Sequence, residues 1–167
     1  MLQIDGEVDR PARLSSADLA MLDAQYQIAD VSQLDPKRRG TAVTLAGLLS
    51  HVGVRAGAAY LSLHSAADDF HASIPLSAVR ERALLIYELD GAALPAAAGG
   101  PFRFLIPDYA ACHTDEVDEC ANVKFVDHIE LTADRGRDNR PHDEQEHAAL
   151  HEQQDQHQPP NPRQEKT

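Results

Sequence analysis

The feature that most constrains the fold is a succession of short apolar segments, each bounded by residues that interrupt regular structure. The segments read AAYLSLHSA, DDFHASIPL, ALLIYEL, PFRFLIP and NVKFVDHIELT. Runs of this length, bounded by Gly, Pro and Asp, are typical of β-strands rather than of helices. Pro75 within the second segment predicts a strand end or an edge strand, because proline cannot donate a hydrogen bond to a neighbouring strand. In the last segment we expect Val123, Phe125 and Ile129 to point inward.

Only two stretches have the spacing of helices. LSSADLAMLDAQY has Leu19, Leu22 and Tyr26 on one helical face, with Ser15 or Ser16 available as the N-cap. TAVTLAGLLSHVG is interpreted as a strand that continues into a helix and ends at Gly53. The sequence therefore predicts an α+β fold that is mostly β, with a mixed sheet and short helices.

Composition limits both the core and the partners. The chain has 167 residues, enough for one domain, and only 5% aromatic residues with no Trp, so the core must be aliphatic. A net charge of −12 argues against binding to nucleic acid or to an anionic membrane surface, since both require clustered Lys and Arg. No apolar run approaches the roughly 20 residues of a membrane-spanning helix. If Met1 is the true start, MLQIDGEV is not a signal peptide and the prediction is a cytoplasmic protein.

The composition changes after Asp134. From Arg135 onward the chain is rich in His, Gln, Asp, Glu and Pro, and only Ala148, Ala149 and Leu150 are apolar. So few apolar residues cannot offset the entropy lost on ordering the chain. We therefore predict a folded domain of residues 1–134 and a disordered tail of residues 135–167.

Several segments, in the same order, resemble the oxidoreductase molybdopterin-binding domain of the sulfite oxidase type. The most specific are LLIYELDGAALP, GGPFRFLIP and NVKFVDHIEL, and the resemblance covers about residues 2 to 132. It implies a strand-rich fold that holds a molybdenum–molybdopterin cofactor, with a protein cysteine thiolate on the metal. It further implies an oxidoreductase that transfers an oxo group or two electrons on a small substrate, although a shared fold does not settle function.

This sequence departs from the family in the segment where the resemblance places the ligand cysteine. That segment reads QIADVSQLDPKRRGTAVTLAGLL and contains no cysteine; Val31 or Ser32 stands about where the thiolate would be. Carried over from the family, Lys124 is predicted to bind the cofactor, with Asn122 and Val123 as backbone donors. The basic run Lys37, Arg38 and Arg39 lies on the loop that approaches the cofactor and could bind its phosphate, or it could be a solvated turn.

The stretch CHTDEVDECANVKF holds the only two cysteines, Cys112 and Cys120. With His113 and the intervening carboxylates they could form a zinc site, although their spacing is wider than that of usual zinc ligands. They could instead form a disulfide or a molybdenum ligand, or simply pack as small apolar side chains beneath an acidic loop.

Three further patterns leave alternatives open. His64 and His71, with Asp68 and Asp69 between them, could hold a divalent ion or could be the exposed tip of a hairpin. Arg103 lies between apolar residues, so we expect it to pair with a carboxylate. The alternative to an active oxidoreductase is a cofactor-free binding or scaffold module on the same fold.

Overall fold

The computed structural model describes residues 1–141. In this part of the chain, ten short strands form two five-stranded sheets, and there are three short helices. The strands are β1 Leu2–Gly6, β2 Ala12–Leu14, β3 Gln27–Ile28, β4 Thr41–Thr44, β5 Tyr60–Ser65, β6 Phe70–Pro75, β7 Leu84–Leu89, β8 Ala92–Ala93, β9 Arg103–Leu105 and β10 His128–Thr132. The helices are α1 Ser16–Ala20, α2 Leu45–Val52 and α3 Leu76–Val79. The predicted α+β class, with mixed sheets and short helices, is confirmed.

The first sheet has the strand order β2-β1-β10-β5-β6. Its β1 and β10 are parallel, with Ile4 opposite Ile129, and its other neighbours are antiparallel. Pro75 ends β6, which is an edge strand of the sheet, as the proline predicted.

The second sheet has the order β3-β4-β7-β8, and β9 also pairs with β7. Within it, Ile86 of β7 lies opposite Ala42 of β4 on one side and Arg103 of β9 on the other. Since paired residues point to the same face of a sheet, Arg103 shares a face with Ile86 and Ala42. This register decides where the charge of Arg103 is placed.

The strands of the second sheet alternate between two apolar clusters. Val43, Leu85 and Phe104 point into the main core, which they share with residues of the first sheet such as Ile4 and Leu63. Their neighbours point to the opposite face, where a smaller cluster comprises Val31, Ala42, Leu84, Ile86, Leu94 and Leu105. Both clusters are aliphatic apart from a few aromatic rings, as the composition requires.

Helix α2 follows the sequence prediction closely. The Thr44 hydroxyl accepts a hydrogen bond from the backbone N–H of Gly47 at 3.1 Å and caps the helix. The helix ends at Gly53, which has φ of 71°, a conformation that favours glycine. Its apolar residues on one side are buried against the main core.

Helix α1 is shorter than the pattern predicted. Ser15 caps it, and the Asp18 carboxylate accepts a hydrogen bond from the backbone N–H of Ser15 at 2.8 Å, as in a capping box. The Asp23 carboxylate then accepts a hydrogen bond from the N–H of Gln25 at 3.0 Å and begins a separate turn. A local side-chain bond of this kind competes with helix continuation, which explains the early end.

The predicted last strand is only partly a strand. Residues 122–126 run beside residues 99–106 through isolated hydrogen bonds, and the ladder of β10 begins only at His128. Val123 and Ile129 are buried as predicted, whereas Phe125 is half-buried and has φ of 55°.

Residues 135–141 pack against the edge strand β6, within the region predicted as tail. The Gly136 N–H donates to the Ser73 hydroxyl at 2.9 Å, and Arg140 is only 5% exposed. The composition change after Asp134 therefore precedes the end of the packed chain. The remainder of the predicted tail, residues 142–167, lies outside the described residues.

Candidate functional site

Two segments of the resemblance, GGPFRFLIP and NVKF, lie side by side. The N–H of Phe125 donates to the carbonyl of Gly99 at 2.8 Å, and the N–H of Phe104 donates to the carbonyl of Val123 at 2.9 Å. Gly99 has φ of 92°, and a Cβ there would lie 3.2 Å from both Arg103 Cδ and Lys124 Cγ. The side-chain stems of Arg103 and Lys124 therefore both border this glycine.

Arg103 is a buried guanidinium with few partners. The residue is 9% exposed, its Nη1 donates to the carbonyl of Ala98 at 3.1 Å, and its Nε is buried without any hydrogen-bond partner. Among the described residues, no carboxylate lies within ion-pair distance of it, so the predicted carboxylate pair is absent. Burial, followed by the nearby charge of Arg38, lowers the pKa of Arg103 to about 10.

Arg38 and Lys124 complete a group of three cations, which we call the basic cluster. The Nε of Arg38 is also buried without a partner. Burial, then the charges of Arg103 and Arg38, lowers the pKa of Lys124. The charge of Arg38 acts on both Arg103 and Lys124, so the three cations lie near one another and favour an anion between them.

The chemistry of the basic cluster suits a phosphate rather than a metal ion. Guanidinium and ammonium groups only donate hydrogen bonds, so they cannot ligate a cation, whereas phosphate oxygens accept from them readily. Two buried Nε atoms, on Arg38 and Arg103, are donors for which the described residues provide no acceptor. Asp35 and Asp68 act on the cluster only from a distance, and in a chain with net charge −12 the lack of an ion-paired carboxylate among the described residues requires a specific reason.

The segment in which the resemblance places a metal ligand offers no thiolate. Val31 is fully buried in the smaller apolar cluster. The Ser32 hydroxyl donates to the Asp30 carboxylate at 2.6 Å. Ser32 also lines a cleft of about 400 Å³, together with Arg39 and Asp90. The residues at this position therefore do not fit the thiolate ligation that the family implies.

Two predicted cofactor residues lie apart from the basic cluster or are already bonded. Arg39 is exposed and pairs with Asp90, with 3.2 Å between Nη2 and Oδ1. The Asn122 side chain accepts from the N–H of Ile106 at 2.7 Å, and its own N–H donates to the carbonyl of Glu119 at 3.1 Å. The N–H of Val123 likewise donates to Ala121.

The cysteine-bearing loop is held by packing and by Arg140. Cys112 and Cys120 are free thiols, both half-buried against the main core, and burial raises the pKa of each. Arg140 donates to the carbonyl of Glu116 at 2.8 Å and to the Asp118 carboxylate at 3.2 Å. The packing interpretation therefore accounts for the positions of both thiols.

The zinc hypothesis for Cys112, Cys120 and His113 finds no support in the structure. Within residues 1–141, no three or more His, Cys, Asp or Glu side chains are arranged to hold a metal ion. His113 has φ of 53° at the end of a short turn. The two cysteines belong to separate short turns, Tyr109–Cys112 and Glu119–Ala121, and both pack against the main core.

His64 and His71 do not form an exposed hairpin tip. Their side chains are 15% and 11% exposed, and they face each other across β5 and β6. A third histidine, His128 of β10, lies opposite His64 and was not singled out from the sequence. The sequence signal for His128 was its spacing of two residues from Glu130, which places both side chains on the same face of a strand.

Comparisons with known proteins agree with this architecture. The family model described as "Oxidoreductase molybdopterin binding domain" matches residues 38–139. Among solved structures, the sulfane dehydrogenase SoxCD from Paracoccus pantotrophus is similar with a TM-score of 0.58 and 19% identity, covering 80% of this chain. The chain spans only 38% of that protein, and the likeness concerns the fold alone. No curated protein matched the sequence.

In the described part of the chain, no helix has the length and apolar character needed to cross a membrane. The family match includes Arg38, Arg103 and Lys124, and it extends into the segment that packs on β6. The match covers more than half of the sequence and includes the strands β4 to β10 of the two sheets. The chain belongs to the oxidoreductase molybdopterin-binding domain family.

Proposed function

We propose that this chain binds molybdopterin and holds the phosphate of the cofactor with the basic cluster of Arg38, Arg103 and Lys124. The observation that carries the proposal is the pair of buried, unpartnered Nε atoms on Arg38 and Arg103. The family match supports the choice of ligand, because a molybdopterin-binding domain implies a phosphate-bearing cofactor.

Energetics support a missing acceptor. A buried charged donor without a partner costs about 1–3 kcal/mol or more, and the basic cluster has two such donors in addition to their mutual repulsion. A phosphate would accept from both guanidinium groups and from Lys124, and its negative charge would offset the clustering of three cations. Binding of a phosphate would thus stabilise the basic cluster.

Each residue has a distinct part in the proposed binding. Arg103 is fixed by β9 and by its bond to Ala98, so it serves as the rigid donor. Lys124 and Arg38 each belong to a loop segment, and Gly99 leaves room for the stems of Arg103 and Lys124. When bound, the molybdenum form of the cofactor supplies oxo-group or two-electron transfer.

A second candidate is a cofactor-free or metal-free binding module, which the segment around Val31 specifically favours. Val31 is buried and Ser32 is bonded to Asp30, so the chain presents no thiolate in that segment. On this alternative the basic cluster would bind a different phosphate-bearing ligand, and no redox chemistry would follow.

Cofactor content decides between these candidates. Untagged protein would be purified from a host that makes molybdopterin, and its pterin would be measured by fluorescence after release and oxidation, with molybdenum by elemental analysis. We expect near-stoichiometric pterin in the unmodified chain and a large loss in Arg103→Met. Arg39→Ala is the matched control, because Arg39 is an arginine of the same loop region that pairs with Asp90 at the surface.

The outcomes separate the two candidates. Pterin lost in Arg103→Met and kept in Arg39→Ala would support phosphate binding by the basic cluster. Pterin with little molybdenum would support cofactor binding without metal ligation. Pterin-free protein from a competent host would overturn the proposal in favour of the cofactor-free module.

A further inference from the structure

Three histidines lie in a row on the face of the first sheet opposite the main core. His128 of β10, His64 of β5 and His71 of β6 are cross-strand neighbours. The ring centroids of His64 and His71 are 5.0 Å apart, as are those of His64 and His128. This row is separate from the basic cluster, and the proposed cofactor binding does not use it.

Two of the three rings, those of His64 and His71, are hydrogen-bonded directly to each other, and each also contacts a carboxylate. Nδ1 of His64 and Nδ1 of His71 are 2.8 Å apart. Nε2 of His71 lies 2.9 Å from Asp69 Oδ1, and Nε2 of His64 lies 3.3 Å from Glu130 Oε2. The sequence of groups is therefore Asp69, His71, His64, Glu130.

Counting protons along this sequence fixes the charge of the pair. An ionised carboxylate only accepts hydrogen bonds, so each Nε2 must carry a proton. The bond between the two Nδ1 atoms requires one further proton, since one nitrogen must donate and the other accept. Three protons on four ring nitrogens make one imidazolium and one neutral imidazole.

The environment disfavours a charge on His64. Burial, only partly opposed by the hydrogen bond to Glu130, lowers the pKa of His64, so His64 is the neutral ring that accepts at Nδ1. The hydrogen bond from His71, with the charge of Arg137, lowers the pKa of Asp69 and keeps that carboxylate ionised beside the imidazolium.

We propose that His64 and His71 share one positive charge through a single Nδ1–H···Nδ1 bond, and that the uptake of a fourth proton by this histidine pair releases residues 135–141 from β6. The pair is thus a pH-responsive attachment for the segment that follows β10. The proposal is independent of cofactor binding.

The attachment runs through Asp69 and His71, which contact the segment directly. Asp69 Oδ1 also accepts from Arg137 Nη2 at 3.2 Å, and the Asp69 carbonyl accepts from Asn139 Nδ2 at 2.6 Å. The N–H of His71 donates to Asn139 Oδ1 at 2.7 Å, and the N–H of Asn139 donates back to the His71 carbonyl at 3.0 Å. A displacement of His71 therefore weakens the hydrogen bonds that hold Arg137 and Asn139.

The other ionisable groups around the pair are few. His128 faces His64 from β10, and its Nε2 lies 2.6 Å from Asp5 Oδ1 of β1. Asp68 accepts from the Ser65 hydroxyl, and Asp127 accepts from the N–H of Ala66 at 2.8 Å, both at the β5–β6 hairpin. Each of these carboxylates already has a donor, so none replaces Asp69 or Glu130 in the sequence of groups.

Acidification opens the pair. A fourth proton would place two N–H groups face to face at a distance of 2.8 Å, which no hydrogen bond allows. Because the folded-state pKa of His64 is lowered from 6.5, its contribution to stability is present above 6.5 and is lost as the pH falls below that value. The lowered pKa of Asp69 makes stability fall in the same direction, but only below its ordinary value of 3.8. Between pH 6.5 and pH 3.8 the effect of His64 can therefore be observed separately.

The test counts protons and follows the segment in the full chain. Long-range ¹H–¹⁵N correlation spectra distinguish protonated from bare ring nitrogens. At pH 7.5 we expect three protonated nitrogens and one bare nitrogen in the pair, and four protonated nitrogens at pH 5. Amide-exchange protection of Asn139 should fall by about tenfold or more over the same range, the change that one pKa unit produces.

The controls are His64→Gln, which cannot take the fourth proton, and His51→Gln, which changes an exposed histidine elsewhere. The pH dependence of Asn139 protection should disappear in the first and persist in the second. Two bare nitrogens at neutral pH would overturn the shared charge. An unchanged pH dependence in His64→Gln would overturn the link to the segment.

Discussion

Two arginines show opposite ways of burying a cation. Arg140 and Arg103 are 5% and 9% exposed. Arg140 is surrounded by acceptors, with Nη2 at 2.6 Å from Asp138 Oδ2 and Nη1 at 2.8 Å from the carbonyl of Glu116. Arg103 has the carbonyl of Ala98 and no carboxylate among the described residues, and its Nε has no partner.

This difference distinguishes a structural arginine, Arg140, from a candidate ligand-binding arginine, Arg103. The acceptors of Arg140 are all supplied by the fold, so its charge joins β6, the cysteine-bearing loop and the segment after β10. Arg103 instead has Arg38 nearby, and no carboxylate forms an ion pair with it among the described residues, although the charge of Asp35 acts on it from a distance. A buried charge that the protein satisfies is a structural residue, and one that it leaves unsatisfied points to a ligand.

The largest expected effect is from Arg140→Ala. Removing the guanidinium leaves the Asp138 carboxylate, 6% exposed, without its buried charged partner and with only the half-exposed Arg135 at 3.1 Å, and loss of a buried partner typically costs about 3–5 kcal/mol. Urea unfolding of the variant should show this loss in the free energy of unfolding. Arg137→Ala removes an exposed arginine from the same segment and should cost less than about 1 kcal/mol. Equal losses in the two variants would mean that Arg140 is not a special contact.

Next is the pH dependence that Asp138 contributes. Burial alone would raise its pKa, but hydrogen bonds from Arg140 and from the N–H of Ser73 outweigh burial and lower it from 3.8 to about 2. The stabilisation is therefore present above pH 3.8 and is lost as the pH falls through about 2. The shift corresponds to about 2 kcal/mol. Asp138→Asn should lack this decline when urea unfolding is compared at pH 6 and pH 2.5, and a parallel decline would contradict the assignment.

For Arg103→Met we expect a smaller effect, of the opposite sign. Replacing an unsatisfied buried cation with an apolar side chain of similar length should leave the ligand-free protein equally stable or more stable by about 1 kcal/mol. Thermal unfolding without and with inorganic pyrophosphate measures both sides: the unmodified chain should be stabilised by the anion and the variant much less. A variant destabilised as strongly as Arg140→Ala would remove the contrast between the two arginines.

The smallest effect concerns the thiols. Because burial raises the pKa of Cys112 and of Cys120, a smaller fraction of each is thiolate than in the unfolded chain. At pH 8, a disulfide reagent should react more slowly with the native protein than with the protein in urea. The single variants Cys112→Ser and Cys120→Ser assign the two rates, and a thiol that reacts faster in the native state would refute the packing interpretation.

The sequence predicted individual helices and strands better than the contacts between them. Helix α2 could be predicted because Thr44, Gly53 and the apolar spacing are all local signals. The end of α1 could not, since it depends on the competing turn that Asp23 begins. Local composition likewise suggested a boundary after Asp134, whereas Arg140 is ordered by partners on β6 and on a distant loop.

The candidate site shows the same limit. Lys124 and Arg38 were predicted from the resemblance and from the basic run, and Arg103 was expected to have a carboxylate partner. That three cations gather without one depends on the register of β9 against β7 and on the course of residues 122–126, neither of which is written in any local pattern. The histidine pair similarly requires the pairing of β5 with β6, which a hairpin permits in more than one register.

The position of β10 has a consequence for how the protein is made. This strand, His128–Thr132, lies inside the first sheet between β1, from the start of the chain, and β5. Until the ribosome has released residues 128–132, β1 and β5 have no strand between them, and both present unpaired backbone edges. Contacts between such distant parts of a chain form slowly. The first sheet of the nascent protein therefore stays incomplete until β10 has been synthesised. We expect the protein to depend most on chaperones during that interval.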